Sequence, residues 1–298
     1  MNPYRTASNQ VSFQPVVWGI FLLFLAANYF ATFKWMVDRW DEAESYMAHG
    51  WLIAPISLFL LWQERDRIRT APRSPSASGF FLIAFALALH VIAGLADVSS
   101  ISGLTMILVL LGFVVVQFGW PVARRVWFPI VFLFFMVPPP EFIISKLNFS
   151  LKLTAADMAT GLLNLVGLPA IRTGSFMVFG NEKLAVGDVC SGLRSLLALL
   201  SLSVLYAWMV REKGKAHVLA VLAMAIPAAV IGNGLRIFLV SCLVLSFGQK
   251  AVFTPLIGSW DLHLFTGAII FIAAFGCLFL VSLVLEKVRP RPAGKDSP

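Results

Sequence analysis

Long apolar runs, separated by short polar segments, make up most of the chain. They span residues 16–33, 49–62, 79–96, 101–119, 127–137, 192–210, 216–240 and 264–285. Several reach the roughly 20 residues that a helix needs to cross a hydrocarbon core, whereas the second and fifth runs are shorter. The pattern predicts an all-α polytopic membrane protein with about eight transmembrane helices. We expect a single membrane-embedded domain, residues 1–298, that ends in a disordered tail at 289–298.

One polar-faced segment departs from this pattern. Three consecutive prolines at 138–140 must end a helix, because proline lacks the amide donor and fixes the backbone. After them, apolar residues between 141 and 168 are interleaved with Lys146, Lys152 and Asp157. The amphipathic pattern predicts a helix that lies in the membrane interface. The alternative is a ninth, polar-faced helix of the bundle.

Residues 170–189 have the character of β-structure. The segment 171–179 is strand-like, Gly180-Asn181 is a turn signal, and Leu184–Val186 is apolar again. We therefore expect a short β-hairpin on the outer side of the membrane, leading directly into Cys190.

Composition and charge agree with a membrane protein. The chain is 59% hydrophobic and only 13% charged, against roughly 25% charged residues in soluble domains. Its net charge of +8 comes from cations in alternate loops, at residues 65–73, 124–125, 211–215 and 287–295. This alternation follows the positive-inside rule, which places both termini in the cytoplasm. Because membrane topology explains the net positive charge, that charge gives no reason to expect nucleic-acid binding.

The cysteines and histidines do not have the spacing of a metal site. The three cysteines form no CxxC pair, and the four histidines are scattered without an HExxH motif. We expect no metal and no cofactor. A disulfide between Cys190 and Cys242 is an alternative use of those thiols in an oxidising compartment.

Three chemically active residues are expected at one membrane depth. Cys190 lies 21 residues before Arg211, Arg236 lies 21 residues after Lys215, and His263 lies 24 residues before Lys287. At about 1.5 Å per helical residue, these separations from the cytoplasmic anchors are roughly 32–36 Å, close to the thickness of the hydrocarbon core. All three residues are therefore predicted at the outer boundary, on three consecutive helices.

These residue types suit cysteine acyl transfer. A thiolate is the nucleophile, and both a nearby cation and a helix N-terminus favour it, so Cys190 is the candidate nucleophile. His263 is the candidate proton carrier. Arg236, which stays charged, is the candidate to hold an oxyanion or a substrate carbonyl.

Four further residues are candidates for supporting or substrate-binding roles. Arg194 shares a helix face with Cys190 and is either a supporting cation or an ion-pair partner of Asp188. Asn233 precedes Arg236 by one helical turn. His49, at the outer start of the second run, is a rival base to His263.

Taken together, three motifs resemble the exosortase/archaeosortase family of membrane cysteine transpeptidases. They are Cys190-Ser191-Gly192-Leu193-Arg194-Ser195-Leu196, Asn233-Gly234-Leu235-Arg236-Ile237, and His263 followed by Gly267. His49-Gly50 also looks like a family feature. The similarity extends over a core from about residue 45 to 285.

The resemblance implies a substrate class and a location. Family members act on secreted proteins with a C-terminal tail of the PEP-CTERM type: a short signature such as Pro-Glu-Pro, a transmembrane helix and a basic cluster. The resemblance thus implies the bacterial inner membrane, a periplasmic active site and hairpin, and transfer to a surface acceptor linked to exopolysaccharide. Simple hydrolysis is left open as the outcome. The rival interpretation is a non-catalytic transporter or a scaffold for envelope assembly.

Overall fold

The computed structural model describes residues 14–42, 45–186, 192–255 and 262–288, and most of these residues are helical. Three predictions fall outside the described residues: Cys190, Asp188 and the tail at 289–298. The helices are α1 (Gln14–Asp41), α2 (Gly50–Gln63), α3 (Arg65–Arg69), α4 (Ser78–Leu95), α5 (Ser99–Phe118), α6 (Trp120–Phe132), α7 (Glu141–Leu165), α8 (Leu193–Met209), α9 (Lys215–Phe247), α10 (Gln249–Phe253) and α11 (Leu262–Val288). The strands are β1 (Ala170–Thr173), β2 (Phe176–Phe179) and β3 (Glu182–Ala185).

The helices confirm a polytopic membrane protein, although their lengths support fewer full spans than eight. Among the described residues, α1, α4, α5, α9 and α11 are long and apolar enough to cross a membrane. A sixth span arises if the interrupted stretch Trp120–Met136 plus Glu141–Leu165 is one crossing, while α2 and α8 are shorter apolar helices. The predicted number of eight spans therefore stays a prediction.

The outer surfaces of the helices are those of a protein solvated by lipid. Helix α4 exposes Phe81 (79%) and Leu95 (85%), while the residues that it buries are the small Gly79, Ala86 and Ala93. This distribution is the reverse of that in a helix of a water-soluble protein, where the large apolar side chains are buried. Lipid tails solvate the large side chains, and the small residues allow close helix packing.

The described chain divides into two compact units, Met1–Pro140 and Glu141–Pro298. In the first unit, α5 packs against α1, α4 and α6. The backbones of α4 and α5 come close enough that a Cβ at Gly79 would lie 2.5 Å from the carbonyl oxygen of Gly112. Buried hydrogen bonds also join the helices, between Tyr29 and Thr105 (3.0 Å) and between Ser102 and His90 (2.8 Å). These bonds are the usual polar links between membrane helices.

In the second unit, α9 is the central helix and contacts α7, α8 and α11. The amphipathic segment is a helix as predicted, and α7 presents Ala155, Ala156 and Ala159 to a buried cluster that includes Ile237 and Val240 of α9. The pairing with α9 is close, since a Cβ at Gly234 would lie 2.9 Å from Met158. The location of α7 in the membrane interface stays a prediction.

The β-structure has one more strand than predicted. β1, β2 and β3 form an antiparallel sheet in chain order, with Thr173 opposite Phe176 and Phe179 opposite Glu182. The segment expected to be one strand is divided at Gly174, whose φ of +64° is a left-handed turn conformation. The sheet buries Met177, Phe179 and Leu184 in the same cluster as α7 and α9. This packing fixes the position of the chain just before residue 187.

Candidate active site

Arg236 and His263 are hydrogen-bonded to each other inside the second unit. Arg236 Nη2 donates to His263 Nε2 over 3.0 Å, and the two residues are only 8% and 5% exposed. A guanidinium has donors and no acceptor, so Nε2 must be the unprotonated ring nitrogen. His263 is therefore neutral, with its proton on Nδ1.

His263 is held at the beginning of α11. It is the second residue of the helix, and its carbonyl oxygen accepts a hydrogen bond from Thr266 Oγ1 (2.8 Å). The ring of Phe253, at the end of α10, lies 5.4 Å from the imidazole, centroid to centroid. The imidazole thus lies between an aromatic ring and the guanidinium.

A glycine makes room for the guanidinium. A Cβ added to Gly267, one turn after His263 on α11, would lie 3.0 Å from Arg236 Cζ and 3.0 Å from Nε. These distances are shorter than an ordinary van der Waals contact. The absence of a side chain at Gly267 therefore allows Arg236 to reach His263.

The described residues on either side of the segment 187–191, which contains Cys190, lie near this pair. Before it, Val186 is hydrogen-bonded to Ser175 (2.9 Å) and lines a crevice together with Arg236 and His263. After it, Gly192 begins α8 with a φ of +78°, and a Cβ there would lie 2.4 Å from Asn233 Cγ. Only the five residues 187–191 connect Val186 to Gly192, and Cys190 is two residues before Gly192.

The other predicted residues divide between the two units. Asn233 is buried on α9 one turn before Arg236, against Gly192. Arg194 is half-buried in the first turn of α8. His49 belongs to the first unit, in the turn before α2, where burial lowers its pKa to about 4 and so keeps it neutral at pH 7. His49 Nδ1 has no hydrogen-bond partner among the described residues.

Two narrow crevices flank Arg236, each with about 10 Å³ of space, roughly the room that one water molecule needs. The first is walled by the end of β3, Phe253 and His263. The second is walled by Ser195, Asn233 and Gly267. The surroundings are otherwise apolar, so electrostatic interactions of the guanidinium are poorly screened by water.

Sequence reasoning did not assign Val186 and Phe253 to the site, although both are among the apolar residues that line the first crevice. Phe253 is one of 26 phenylalanines, and nothing in the sequence around it distinguishes it from those that face lipid. Among the described residues, no three His, Cys, Asp or Glu side chains are grouped as metal ligands would be. The remaining described cysteines, Cys242 and Cys277, are free thiols.

The glycine beside the guanidinium provides a test of how closely Arg236 must be placed. For the activity that the family resemblance implies, we expect Gly267→Ala to slow turnover about tenfold, because the guanidinium must move by a few tenths of an ångström and misplacement by 1 Å costs about a hundredfold. Pulse–chase labelling of precursor conversion measures the rate.

Gly276→Ala is the matched control for this substitution. It makes the same change in the same helix, at a position with no atom within 4 Å of the added Cβ. Alanine in place of a helical glycine also stabilises a helix slightly, so both variants should accumulate normally. Equal conversion rates in the two variants would show that Gly267 has no part in placing Arg236.

Comparison with known proteins identifies one family. A family model described as transmembrane exosortase matches residues 40–280 of the chain. No curated protein and no solved structure gave a significant match.

Proposed function

Since the chain belongs to the transmembrane exosortase family, we propose that it is a membrane cysteine transpeptidase with Cys190, Arg236 and His263 as its catalytic residues. The observation that carries the proposal is the buried hydrogen bond between Arg236 and His263 (3.0 Å). A base and a fixed cation meet near the described residues on either side of the segment that contains Cys190. Gly192, two residues after Cys190 in the sequence, packs against Asn233, one turn before Arg236 on α9.

The first half of the reaction forms a thioester. The Cys190 thiol transfers its proton to His263 Nε2, and the sulfur attacks a peptide carbonyl carbon of the substrate. The carbonyl oxygen becomes an oxyanion that accepts hydrogen bonds from the Arg236 guanidinium. The carbon–nitrogen bond then breaks, His263 returns the proton to the leaving amine, and the released tail departs.

The second half of the reaction consumes the thioester. An amine, hydroxyl or water attacks the carbonyl carbon, the carbon–sulfur bond breaks, and the thiol is regenerated with the proton that the attacking group loses. Transfer to a surface acceptor linked to exopolysaccharide is the outcome that we propose. The water-sized crevice beside Arg236 and His263 favours hydrolysis as a second outcome.

The substrate and location follow from the family together with the charge pattern. We propose secreted proteins with a PEP-CTERM-type C-terminal sorting signal, cleaved at the periplasmic face of the bacterial inner membrane. The basic loops at 65–73, 124–125 and 211–215 support this orientation, because the positive-inside rule places them in the cytoplasm. Arg194, Asn233, Asp188 and His49 are proposed supporting or substrate-binding residues, with His49 as the rival base.

Trapping with hydroxylamine tests the thioester directly. Hydroxylamine is a strong nucleophile that converts a thioester to a hydroxamic acid and a free thiol. Spheroplasts of a host strain that carries this chain as its only copy are treated with it, and C-terminal peptides of the secreted proteins are analysed by mass spectrometry. We expect shortened proteins that end in a hydroxamate with the wild-type chain, and none with Cys190→Ser.

The alternatives give different results in the same experiment. Shortened proteins that end only in a carboxylic acid or an acceptor, whatever the hydroxylamine concentration, would mean that no thioester forms. Secreted proteins that keep their tails with the wild-type chain as well would favour the transporter or scaffold.

A further inference from the structure

The first unit contains an apolar cavity that the proposed reaction does not use. It lies between α1, α2, α5 and α6, with a volume of about 610 Å³, within the range of roughly 300–1,000 Å³ of pockets that hold small organic ligands. Phe21, Leu58, Leu110 and Met136 are among its lining residues, and Ser57 is the only polar one. The part of a ligand that the cavity encloses must therefore be almost entirely apolar.

One end of the cavity is bordered by arginines. Ile68, between Arg67 and Arg69 on α3, lines the cavity, as do Val122 and Val126, which flank the pair Arg124-Arg125 on α6. The two elements are joined at this end, because Arg125 Nη1 donates to the carbonyl oxygen of Arg67 (3.1 Å). The apolar space thus opens beside a basic surface within a single unit.

A further arginine lies at the same end. Arg73 Cζ lies 5.5 Å from the ring centroid of Phe118, another lining residue. We call the six arginines at this end the arginine rim; they are Arg65, Arg67, Arg69, Arg73, Arg124 and Arg125.

The arginine rim has more positive charge than its own carboxylates neutralise. Glu64 pairs with Arg67 (3.4 Å), and Asp66 lies 3.9 Å from Arg65 and 4.0 Å from Arg69. Within the part of the chain that the structure describes, Arg73, Arg124 and Arg125 have no carboxylate partner. The rim therefore presents a surplus of exposed cations next to an apolar cavity.

We propose that this cavity and rim bind an anionic phospholipid. One acyl chain occupies the cavity, and the phosphate-containing headgroup lies on Arg73 and Arg125. Anionic headgroups are concentrated in the cytoplasmic leaflet, where the positive-inside rule places these loops, and basic pockets between transmembrane helices recognise them. A zwitterionic phospholipid has the same acyl chains and lacks the net negative charge that the rim selects.

The test compares two lipids that differ only in the headgroup. The full chain is purified in a mild detergent, and binding of dioleoyl-phosphatidylglycerol and dioleoyl-phosphatidylcholine is measured by native mass spectrometry. We expect the wild-type chain to retain about one phosphatidylglycerol and at least about tenfold less phosphatidylcholine. Arg73→Gln/Arg125→Gln should lower the affinity for phosphatidylglycerol about thirtyfold, in keeping with the attraction of two cations to an anionic lipid surface.

Two matched controls separate the headgroup and acyl-chain contributions. Lys146→Gln/Lys250→Gln removes the same number of exposed charges from the second unit and should leave binding unchanged. Leu58→Trp fills part of the cavity from a position that is 66% exposed and should weaken binding of both lipids. Leu52→Trp, on the same helix and 61% exposed but outside the cavity lining, should not.

Three results would overturn the proposal. Equal retention of the two lipids, or no loss in Arg73→Gln/Arg125→Gln, would show that the rim does not select a headgroup. Equal binding by Leu58→Trp and Leu52→Trp would show that the acyl chain lies elsewhere. Recovery of a bound peptide segment in place of lipid would assign the cavity to a protein partner.

Discussion

Cys190→Ala will leave the substrates of this protein unprocessed, with their C-terminal tails intact in the membrane. The thiol is the only group of the protein that bonds to the substrate carbon in the proposed mechanism, and removal of a catalytic nucleophile typically costs 10³-fold or more. The measurement is a comparison of membrane proteomes from a host lacking its own copy, complemented with wild-type or variant chain at equal expression. Intact tail peptides should appear only with the variant.

Three further variants make this result specific to the thiol at position 190. Cys190→Ser keeps the size and a weaker nucleophile and should also be inactive, whereas a transporter or scaffold would tolerate it. Cys242→Ser and Cys277→Ser change the other two cysteines, which are half-buried and exposed, and should process normally. Wild-type levels of cleaved protein with Cys190→Ala would rule out the nucleophile assignment.

The second large effect is expected at Arg236. Arg236→Gln removes the charge that faces the oxyanion, and loss of one such donor in acyl-transfer enzymes costs about 10²–10³ in rate. Arg236→Lys keeps the charge but loses the planar fork that reaches His263, so it should recover only part of the activity. Conversion rates of a natural precursor, corrected for the amount of inserted enzyme, measure both effects.

A double-mutant cycle distinguishes a catalytic pair from a structural one. If Arg236 and His263 act as one unit, Arg236→Gln combined with His263→Gln will be hardly slower than the worse single variant. If each contributes independently, the two rate losses will multiply. Arg211→Gln, which removes an arginine just after the far end of α8, should be close to wild type. A fully active Arg236→Gln would contradict the oxyanion role.

The helices could be predicted well from the sequence because a helix that faces lipid must be apolar along most of its length. Each apolar run is a helix or part of one, but the boundaries differ where helices extend beyond the apolar run. Helix α1 continues from residue 33 to Asp41 through a polar stretch that contains an i,i+4 ion pair between Lys34 and Asp38 (2.9 Å). Helix α9 runs to Phe247 because the sheet and α10 pack against its last turns, a tertiary effect that no local pattern contains.

The proximity of Arg236 and His263 could be predicted from the sequence, whereas the geometry of their contact could not. Counting residues from the basic loops predicted one level for Arg236 and His263, and the structure brings them to 3.0 Å. The contact itself depends on helix rotation and on the space at Gly267, which are properties of the packed bundle. The turn at Gly174 was missed because one glycine among strand-forming residues is a weak signal until the sheet pairs across it.

The hydrogen bond between Arg236 and His263 imposes an order on the events of the proposed reaction. While it is intact, the lone pair of His263 Nε2 is occupied and the guanidinium is turned toward the ring. The base therefore cannot accept the thiol proton until this hydrogen bond is broken. In the proposed reaction, a substrate carbonyl that draws the Arg236 Nη2 group away frees His263 Nε2 to accept the thiol proton, so substrate binding precedes activation of the thiol.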